Sequence, residues 1–323
     1  MTAGLRVAVV GGGANCEHEV SLASAASVAT ALDRLGYDVV RLTIDRDGWW
    51  LDEAGAVIGL AAAVEVLRGC DVAVPVVHGP HGEDGTLAAL CDLAGVPFVG
   101  SAVGAGALAM DKWATKLVAE AVGIRTAAGA VLTRDTAAAY FFTGPVVVKP
   151  IAAGSSQGVS LVRTAAELEP ALTSALALDR RVLVEEVVVG REIDVAVLGT
   201  SDGRRRVSPA LEIVTDGLFD YATKYDGSAA FLVPAPLDAR ERDQLADAAV
   251  AMYDALGCQG VARVDFFLTD AGLVLNEVNT MPGFTEHSQV PRMFAADGLA
   301  YPQLVEALVR DALRARSARA FAS

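Results

Sequence analysis

The residues best suited to chemistry lie near the carboxyl end, in the run VARVDFFLTDAGLVLNEVNT. Two segments rich in β-branched and aromatic residues flank a short Asp-Ala-Gly segment, a pattern typical of a β-hairpin. If residues 270–272 form a three-residue loop, Asp265 lies opposite Glu277 across the ladder. In the same register, Arg263 lies opposite Asn279. The pattern therefore predicts that charged and amide side chains face one another on this hairpin.

Side chains alternate along a strand, so Leu275, Glu277 and Asn279 are predicted to share one face of the second segment. Two carboxylates that face each other destabilise a ladder unless a positive charge lies between them. Carboxylate and amide oxygens are ligands that Mg²⁺ takes in proteins, where substrate phosphates and water complete its shell. Asp265, Glu277 and Asn279 are therefore candidate Mg²⁺ ligands, with a solvated charged hairpin as the alternative.

Lysine is rare in this chain, since only four of its 26 basic residues are lysines and the other 22 are arginines. A compact ammonium group suits phosphate sites, which makes the few lysines candidates for that role. They are Lys112, Lys116, Lys149 and Lys224. After Lys149, residues 154–158 read GSSQG, a loop whose N–H groups and hydroxyls can fold over phosphate oxygens. A simple hairpin turn is the alternative for this loop.

Further polar residues lie where predicted strands end. Glu185, Glu186 and Glu192, in VLVEEVVVGREID, lie where a strand edge could read an adenine and a ribose, with plain surface charge as the alternative. Glu17 and His78 lie where parallel strands end, which is the usual place for a ligand in an open α/β sheet. These two side chains could meet there across neighbouring strands, and capped loop residues are the alternative.

The elements that position these residues fall into three predicted domains, so the fold class is α/β and α+β. Residues 1–104 alternate short apolar strands with helices, which predicts an open α/β domain with a parallel sheet. Residues 105–189 predict a small central α+β domain, in which short strands flank one helix. Residues 190–323 predict a C-terminal α+β domain with antiparallel strands, a long helix, the hairpin and a closing helix.

Composition excludes several classes of protein. The chain has 323 residues, enough for two or three domains with sizeable cores. Its formal net charge of -14 would repel a polyanion, which argues against nucleic acid as the main partner. No run approaches the ~18 apolar residues of a membrane span, and the N-terminus lacks the apolar segment of a signal peptide. We therefore expect a cytoplasmic protein with no membrane partner.

The cysteines point to neither a metal site nor disulfides. They are far apart in sequence and show no CxxC spacing, which predicts buried free thiols. They are Cys16, Cys70, Cys91 and Cys258. Cys16 also stands where a dinucleotide-binding turn would have its third glycine, in GGGANC, which argues against NAD.

Eight motifs of the sequence resemble a known family, in the family's order and over practically the whole chain. They are EHEVSL, HGPHGEDG, AMDKWATK, VVKPIAAGSSQGVS, EEVVVGREIDV, FDYATKY, ARVDF and NEVNTMPGFTEHS. Together they resemble the D-alanine:D-alanine ligases of the ATP-grasp superfamily. The resemblance implies an ATP-grasp fold and a cytoplasmic, ADP-forming ligase that makes D-alanyl-D-alanine for peptidoglycan. It also implies a homodimer.

The resemblance assigns residues to ATP and metal. It implies that two Mg²⁺ or Mn²⁺ ions on ATP are bound by Asp265, Glu277 and Asn279. It implies that ATP is bound by Lys112, Lys149, Glu185, Glu186, Val188 and Glu192. Within this set, Glu185 and Glu192 would contact adenine and ribose, and the backbone near Val188 would pair with the base. The loop 154–158 and the segment 219–225 would close over the site and exclude water.

For the first D-alanine, the resemblance implies an ammonium site. Glu17 would receive the ammonium, oriented by Ser155 and Tyr225, with His78 close by. The family associates this tyrosine with a preference for D-alanine over D-lactate as second substrate. A dipeptide is therefore the expected product.

For the second D-alanine, the resemblance implies a carboxylate site formed by Ser288 and Lys224. Arg263 and the backbone N–H of Gly283 would hold the oxyanion of the tetrahedral intermediate. Gln289 follows Ser288 where an apolar Leu or Met is common. Its amide either turns to solvent or lines the side-chain pocket of the second substrate, where it would ease entry of D-serine.

The chain departs from the family pattern in one further place. Ala88, Ala89 and Asp92 stand where the helix after GEDG commonly has Gln-Gly and then Glu. This departure concerns the substrate pocket and helix packing rather than phosphate or metal. Two alternatives stay open: a related ligase that joins another second substrate, and a nucleotide-binding protein that has lost catalysis.

Overall fold

The computed structural model describes residues 4–214 and 230–320, with side chains up to residue 315. The described residues form three β-sheets. The first is built from residues before position 76, the second from residues 129–186, and the third from residues 191–279. The predicted domain division at 104 and 189 stays a prediction.

The first sheet has strand order β3-β2-β1-β4. Its strands are β1 (Arg6–Gly12), β2 (Asp38–Ile44), β3 (Trp50–Leu51) and β4 (Val72–Pro75). β1 runs parallel to β2 and β4, as predicted, and β3 is antiparallel. The neighbouring helices are α1 (His18–Arg34), α2 (Gly59–Arg68) and α3 (Thr86–Leu93). In the run VPFVGS, residues 96–101, Phe98 makes a single parallel bridge to Ala73.

The second sheet is antiparallel, with order β5-β8-β6-β7. Its strands are β5 (Gly129–Thr133), β6 (Val146–Pro150), β7 (Ser160–Val162) and β8 (Arg181–Glu186). The helices α4 (Val103–Met110) and α5 (Lys112–Ala121) precede it, and α6 (Ala165–Leu178) packs on it. A capping box between Thr164 and Glu167 starts α6, since each side chain accepts from the other residue's backbone N–H.

The third sheet has order β12-β11-β9-β13-β14, with β10 paired to β9. Its strands are β9 (Arg191–Gly199), β10 (Arg205–Val207), β11 (Leu211–Val214), β12 (Ala230–Leu232), β13 (Val261–Thr269) and β14 (Gly272–Asn279). The remaining helices are α7 (Ala239–Leu256), α8 (Gln289–Ala296) and α9 (Tyr301–Ala320). α7 covers one face of this sheet through Leu245 and Met252, which leaves the other face for the site.

The hairpin formed by β13 and β14 has the register that the sequence predicts. Asp265 pairs with Glu277, and Arg263 pairs with Asn279. The predicted three-residue loop is wrong, because the last ladder pair leaves only residues 270–271 between the strands. Without any other change, a loop one residue shorter would shift every ladder pair by one position. Because Asp265 still pairs with Glu277, one extra residue must lie unpaired within the ladder.

A β-bulge at Asn276 absorbs that residue. The pairing slips by one position between Asp265 and Phe266, which leaves one residue of β14 unpaired. The bulge also breaks the predicted alternation. Leu275 is 1% exposed and lies in the core, whereas Asn276 and Glu277 line the same cavity. The prediction that Leu275 and Glu277 share a face is therefore wrong.

The largest hydrophobic cluster joins distant parts of the chain. Val28 and Leu32 of α1 lie in it together with Phe294 of α8 and Leu304 and Val305 of α9. Helix α9 also packs on strand β4 of the first sheet. The first and third sheets are therefore held together by a shared core.

Two expectations from composition can be compared with the structure. Within residues 4–214 and 230–320, no helix is long and apolar enough to cross a membrane. The prediction of buried thiols holds for Cys70, Cys91 and Cys258, and burial raises the pKa of Cys91 and of Cys258 to about 12. It is wrong for Cys16, which lies exposed in the loop after β1.

Candidate active site

Two cavities meet at the hairpin. The larger, about 550 Å³, is lined by the second and third sheets, and the smaller, about 300 Å³, by loops of all three sheets. Three charged residues line both cavities: Lys112, Arg263 and Glu277. A ligand in one cavity therefore lies beside a ligand in the other, with these side chains between them.

The candidate metal ligands lie at this junction. Asp265 is 3% exposed, and Arg263 donates to both of its oxygens, each at 2.7 Å. The Nδ2 of Asn279 donates to Oδ2 of Asp265 at 3.0 Å. Glu277 forms an ion pair with Lys112 at 3.4 Å. The protein itself therefore places a positive group beside each of the two facing carboxylates: Arg263 beside Asp265, and Lys112 beside Glu277.

The donor set fits a hard divalent cation. Asp265 and Glu277 face each other in the ladder beside the amide of Asn279, which gives oxygen donors from two rigid strands. The set has two carboxylates and one amide, and among the described residues no cluster of three His, Cys, Asp or Glu side chains is present. The ligand set as a whole stays a prediction.

Lys149 lies at the end of β6 and contacts a carboxylate and an amide. Its ammonium forms an ion pair with Oε1 of Glu185 and donates to Oδ1 of Asn276 at 3.3 Å. The other oxygen of Glu185 lies 2.8 Å from the Nζ of Lys116. Lys116 is 2% exposed, and this contact makes it a partner of a carboxylate that lines the larger cavity. The family resemblance gave it no role. Its only signal was the rarity of lysine.

The nucleotide-contacting candidates line the larger cavity. Glu186, Val188 and Glu192 lie along its wall with Glu185. Glu185 is 6% exposed, so the alternative of plain surface charge is wrong for this residue. Glu186 is exposed, and its Oε1 accepts from the backbone N–H of Ala128 at 3.0 Å. The contacts of these residues with adenine and ribose stay predictions.

Glu17 and the loop 154–158 lie together in the smaller cavity. The Oγ of Ser155 donates to Oε1 of Glu17 at 2.5 Å. Ser155 and Ser156 have φ angles of 49° and 55°, in the left-handed region that side chains other than glycine rarely adopt. A Cβ on Gly154 would lie 2.2 Å from Oε2 of Glu17, so a side chain there would force the loop or this carboxylate to move. The loop is therefore shaped around this carboxylate rather than being a simple turn.

Asn15, which the sequence analysis did not single out, holds the loop of Glu17 against the loop of His78. Its Oδ1 accepts from the backbone N–H of Glu17 at 2.8 Å. Its Nδ2 donates to the carbonyls of His78 and Pro80 at 2.9 and 3.0 Å. The expected meeting of Glu17 and His78 in one cavity is confirmed.

His78 connects the first and third sheets. Its Nδ1 lies 2.8 Å from the carbonyl of Met281 and 3.8 Å from Oε1 of Glu83, and its Nε2 lies 3.0 Å from Oγ of Ser24. Burial alone would lower the pKa of His78, but Glu83, Glu17 and the Met281 carbonyl outweigh burial and raise it. The imidazole is therefore held in a site that favours its protonated form.

Ser288 and Gly283 lie on the turn before α8. The Oγ of Ser288 accepts from the backbone N–H of Thr285 at 3.0 Å and lies 2.8 Å from its hydroxyl. Gly283 and Ser288 both line the smaller cavity with Arg263. The structure thus brings together the groups expected to meet the second substrate.

Gln289 turns inward, so the alternative that its amide faces solvent is wrong. Its Oε1 accepts from Nη1 of Arg263 at 2.6 Å, and its Nε2 donates to Oδ2 of Asp194 at 2.9 Å. Asp194 is 1% exposed and lies 3.4 Å from Nε of Arg263. Gln289 therefore bridges a buried cation and a buried carboxylate.

Two of the predicted residues, Lys224 and Tyr225, lie outside the described residues. Of the helix α3 departures, Ala88 is buried and Asp92 is exposed. Ala88 lines a small cavity with Glu83, next to the His78 site.

The comparisons with known proteins agree with this geometry. The model of the D-ala D-ala ligase C-terminus matches residues 122–310, and that of the D-ala D-ala ligase N-terminus matches residues 6–63 and 52–101. The chain is 42% identical, over an alignment 355 positions long, to the D-alanine–D-alanine ligase of Mycolicibacterium smegmatis, with 95% of each chain covered. It is 40% identical to that of Mycobacterium avium (strain 104), with 96% of each chain covered.

Solved structures give the same result. The VanG D-Ala:D-Ser ligase from Enterococcus faecalis is 34% identical, with a TM-score of 0.85, and the match covers 96% of this chain and 99% of that one. The D-alanine-D-alanine ligase from Coxiella burnetii is 29% identical, with a TM-score of 0.83 and coverage of 100% and 97%. With its ATP-grasp fold, and with relatives that align over almost all of its length, the chain belongs to the D-alanine–D-alanine ligase family.

Proposed function

We propose that this protein is an ATP-dependent, ADP-forming ligase that joins two D-alanines into D-alanyl-D-alanine for peptidoglycan synthesis. One observation carries the proposal. The cavity that holds the candidate ATP residues and the cavity that holds Glu17 and Ser288 share Lys112, Arg263 and Glu277 as a wall. A terminal phosphoryl group bound in the first cavity would lie beside a carboxylate bound in the second.

In the first step, the carboxylate of one D-alanine attacks the γ-phosphorus of ATP, the bond to the bridging oxygen breaks, and ADP leaves. The product of this step is an acyl phosphate. Lys112 and Lys149 offset the charge on the phosphoryl oxygens. Glu17, held by Ser155, binds the ammonium of the substrate and so aims its carboxylate at the phosphorus.

In the second step, the amine of the second D-alanine attacks the acyl carbon. The bond between the acyl carbon and the phosphate oxygen of the tetrahedral intermediate then breaks, and the departing phosphate takes the proton that the attacking amine loses. Arg263, whose guanidinium is fixed by Asp265, and the backbone N–H of Gly283 donate to the oxyanion. Ser288 and Lys224 hold the carboxylate of this substrate, which orients its amine.

Asp265, Glu277 and Asn279 would hold Mg²⁺ or Mn²⁺ on the phosphates of ATP. A divalent ion there supplies positive charge that offsets the charge developing on the phosphoryl oxygens. The ion pair between Glu277 and Lys112 supports this assignment, because it places a phosphate-binding lysine within 3.4 Å of a candidate ligand.

The test is ADP release from ATP and Mg²⁺ in the presence of a panel of D- and L-amino acids. We expect turnover with D-alanine alone and a product with the mass of D-alanyl-D-alanine. Absence of D-alanine-dependent ADP release, or a product formed only with another acid, would overturn the proposal.

We also infer a dipeptide rather than a depsipeptide product. The sequence keeps Tyr225 beside Lys224, and the family associates that tyrosine with preference for D-alanine over D-lactate. D-lactate should be a poor second substrate at neutral pH. Comparable rates with D-lactate and D-alanine would contradict this inference.

A related ligase that takes D-serine as second substrate is the second candidate. The inward amide of Gln289 favours it, because this side chain lines the substrate cavity where an apolar group is common. In the same panel, mixtures of D-alanine with D-serine separate the two candidates by the mass of the product.

We further propose three domains, residues 1–104, 105–189 and 190–323, in a cytoplasmic homodimer. The three sheets support the division, since each range contains the strands of one sheet. Light scattering at micromolar concentration tests the homodimer, which predicts twice the chain mass of 33.3 kDa.

A further inference from the structure

Lys116 is a buried cation that takes no part in the mechanism above. It lies on α5, is 2% exposed, and its Nζ donates to the carbonyl of Ala127 at 2.8 Å. The same Nζ lies 2.8 Å from Oε2 of Glu185. Burying an ammonium is costly unless a negative partner is close, so this lysine depends on Glu185.

Glu185 in turn is shared between two ammonium groups. Lys116 contacts one of its oxygens and Lys149 the other. Burial alone would raise the pKa of Glu185, but Lys149 and Lys116 together outweigh burial and lower it. Burial lowers the pKa of Lys116, and Glu185 opposes that effect. With both ammonium groups protonated and Glu185 ionised, the three groups carry a net charge of about +1. This unit lies along the wall of the larger cavity, because Lys149 and Glu185 both line it.

Lys149 is the member of this unit that can reach a phosphate. A lysine ammonium has three N–H donors, and Glu185 and Asn276 take two of them. Within residues 4–214 and 230–320, these contacts leave one donor for an oxygen of the nucleotide. The attraction between Lys149 and a phosphate then depends on how much of the lysine's charge Glu185 neutralises. Lys116 limits this neutralisation, because it contacts the other oxygen of the Glu185 carboxylate.

We propose that Lys116 is a positioning residue for ATP. It acts through Glu185, and it keeps the ammonium of Lys149 directed at the phosphates and able to bind them. The inference rests on the proposed function, because it assumes that the larger cavity binds ATP. Without Lys116, Glu185 and Lys149 form a neutral pair, and the cavity loses its net positive charge at this wall. The carboxylate also loses the contact that fixes its orientation.

The test compares the full chain with Lys116→Met, which removes the charge and keeps the volume. Dissociation constants are measured by calorimetry for a non-hydrolysable ATP analogue and for adenosine, which has the base and ribose without phosphates. We expect the ATP analogue to bind about tenfold more weakly. Binding of adenosine, whose base Glu185 is expected to contact, should weaken clearly less than binding of the ATP analogue. The KM for ATP should rise with the dissociation constant of the analogue, while the KM for D-alanine stays unchanged.

Two further variants give controls. Lys116→Arg keeps the charge and should bind the ATP analogue within about threefold of the natural chain. Glu169→Gln removes an exposed charge from α6, which packs on the same sheet as Lys149 and Glu185 belong to, and should change neither constant. If Lys116→Met does not fold, Lys116→Gln replaces it, since glutamine can donate to the Ala127 carbonyl but carries no charge.

Unchanged binding of the ATP analogue to the Met or Gln variant would overturn the inference. Equal weakening of the ATP analogue and adenosine would also overturn it, because a purely structural role predicts that result. If the natural chain itself does not bind the ATP analogue, the proposed function fails instead. The two failures are therefore distinguishable.

Discussion

Arg263 is held from several sides by groups of opposite charge or by an amide. Asp265 accepts two hydrogen bonds, Gln289 accepts one, and Asp194 lies 3.4 Å away. Burial alone would lower the pKa of Arg263, but Asp265 and Asp194 raise it above its usual range, so the guanidinium stays charged. A cation fixed in this way can donate to a developing oxyanion without first reorganising.

At the residue scale, we predict that Asp265→Asn and Glu277→Gln each lower kcat at least about 100-fold. Each change removes a negative oxygen ligand, and Asp265→Asn also releases Arg263. The measurement is D-alanine-dependent ADP release at limiting Mg²⁺. Asp270→Asn, an exposed residue of the hairpin turn, is the control and should leave the rate unchanged. Near-normal turnover in either site variant would show that the metal assignment is wrong.

A second prediction concerns Gln289→Leu, which gives the chain the apolar residue that the family commonly has. The change removes an acceptor from Arg263 and a donor from Asp194, so we expect kcat to fall about tenfold. We also expect a lower ratio of kcat/KM for D-serine to that for D-alanine as second substrate. This part of the effect is limited to about 10- to 200-fold, because a pocket wall that tolerates a hydroxyl discriminates weakly.

The two readouts separate two roles of Gln289. A lower kcat with an unchanged substrate ratio would mean that the amide serves only Arg263 and Asp194. A changed ratio would place the amide beside the side chain of the second substrate. If neither changes, the departure at this position is silent.

At the scale of the elements, the loop 154–158 depends on the absence of a side chain at Gly154. A Cβ there would lie 2.2 Å from Oε2 and 2.8 Å from Cδ of Glu17. We predict that Gly154→Ala displaces the loop from Glu17 and raises the KM for D-alanine about tenfold, with a smaller effect on the KM for ATP. Gly144→Ala is the matched control, because a Cβ at Gly144 meets nothing within 4 Å.

Steady-state kinetics with each substrate varied in turn measure both constants. If the KM for D-alanine were equal in Gly154→Ala and Gly144→Ala, the close approach of the loop to Glu17 would have no part in substrate binding.

The hairpin of β13 and β14 shows which features of an element the sequence could predict and which it could not. The facing of Asp265 and Glu277 follows from strand patterns and a nearby turn, and it was predicted correctly. The bulge at Asn276 could not be predicted, because a two-residue loop with a bulge and a three-residue loop without one give the same pairing at this point. The difference shows only in Leu275, whose burial depends on the packing of α7 and its neighbours.

The contacts of the site also divide into those that local sequence could predict and those that depend on tertiary packing. Strand ends predicted that Glu17 and His78 could meet at one edge of a sheet, because this rule depends on local sequence. That the lysines belong to the same site was implied only by the family resemblance. Glu185 lies 69 residues from Lys116 in sequence, and the two partners of Gln289 lie 26 and 95 residues from it. Such contacts depend on how the sheets pack, which the pattern of a single chain does not contain.

At the scale of the whole molecule, His78 gives a pH-dependent link between two sheets. Its pKa in the folded chain is raised above the value of about 6.5 in an unfolded chain. The folded state therefore binds more protons between these two pKa values. The stabilisation is fully present below about pH 6.5 and is lost as pH rises through the folded pKa.

We predict that the free energy of unfolding of the natural chain exceeds that of His78→Gln by an amount that decreases as pH rises through this window. Each unit of raised pKa corresponds to about 1.4 kcal/mol of that decrease. Urea unfolding at a series of pH values measures it. A difference that is constant with pH, or that increases with pH, would show that the imidazole is not held in its protonated form.

The packing of α9 on α1 and β4 has a consequence for the order of events during synthesis. Leu304, Val305 and Leu308 complete the cluster that contains Val28 and Val74, although they follow these residues by more than 200 positions. While the chain is still being made, the apolar residues of α1 and β4 that α9 covers stay open to water until α9 emerges from the ribosome. These early elements are therefore among the last to reach their final packing. Until then, other nascent chains and chaperones can bind their exposed hydrophobic surface.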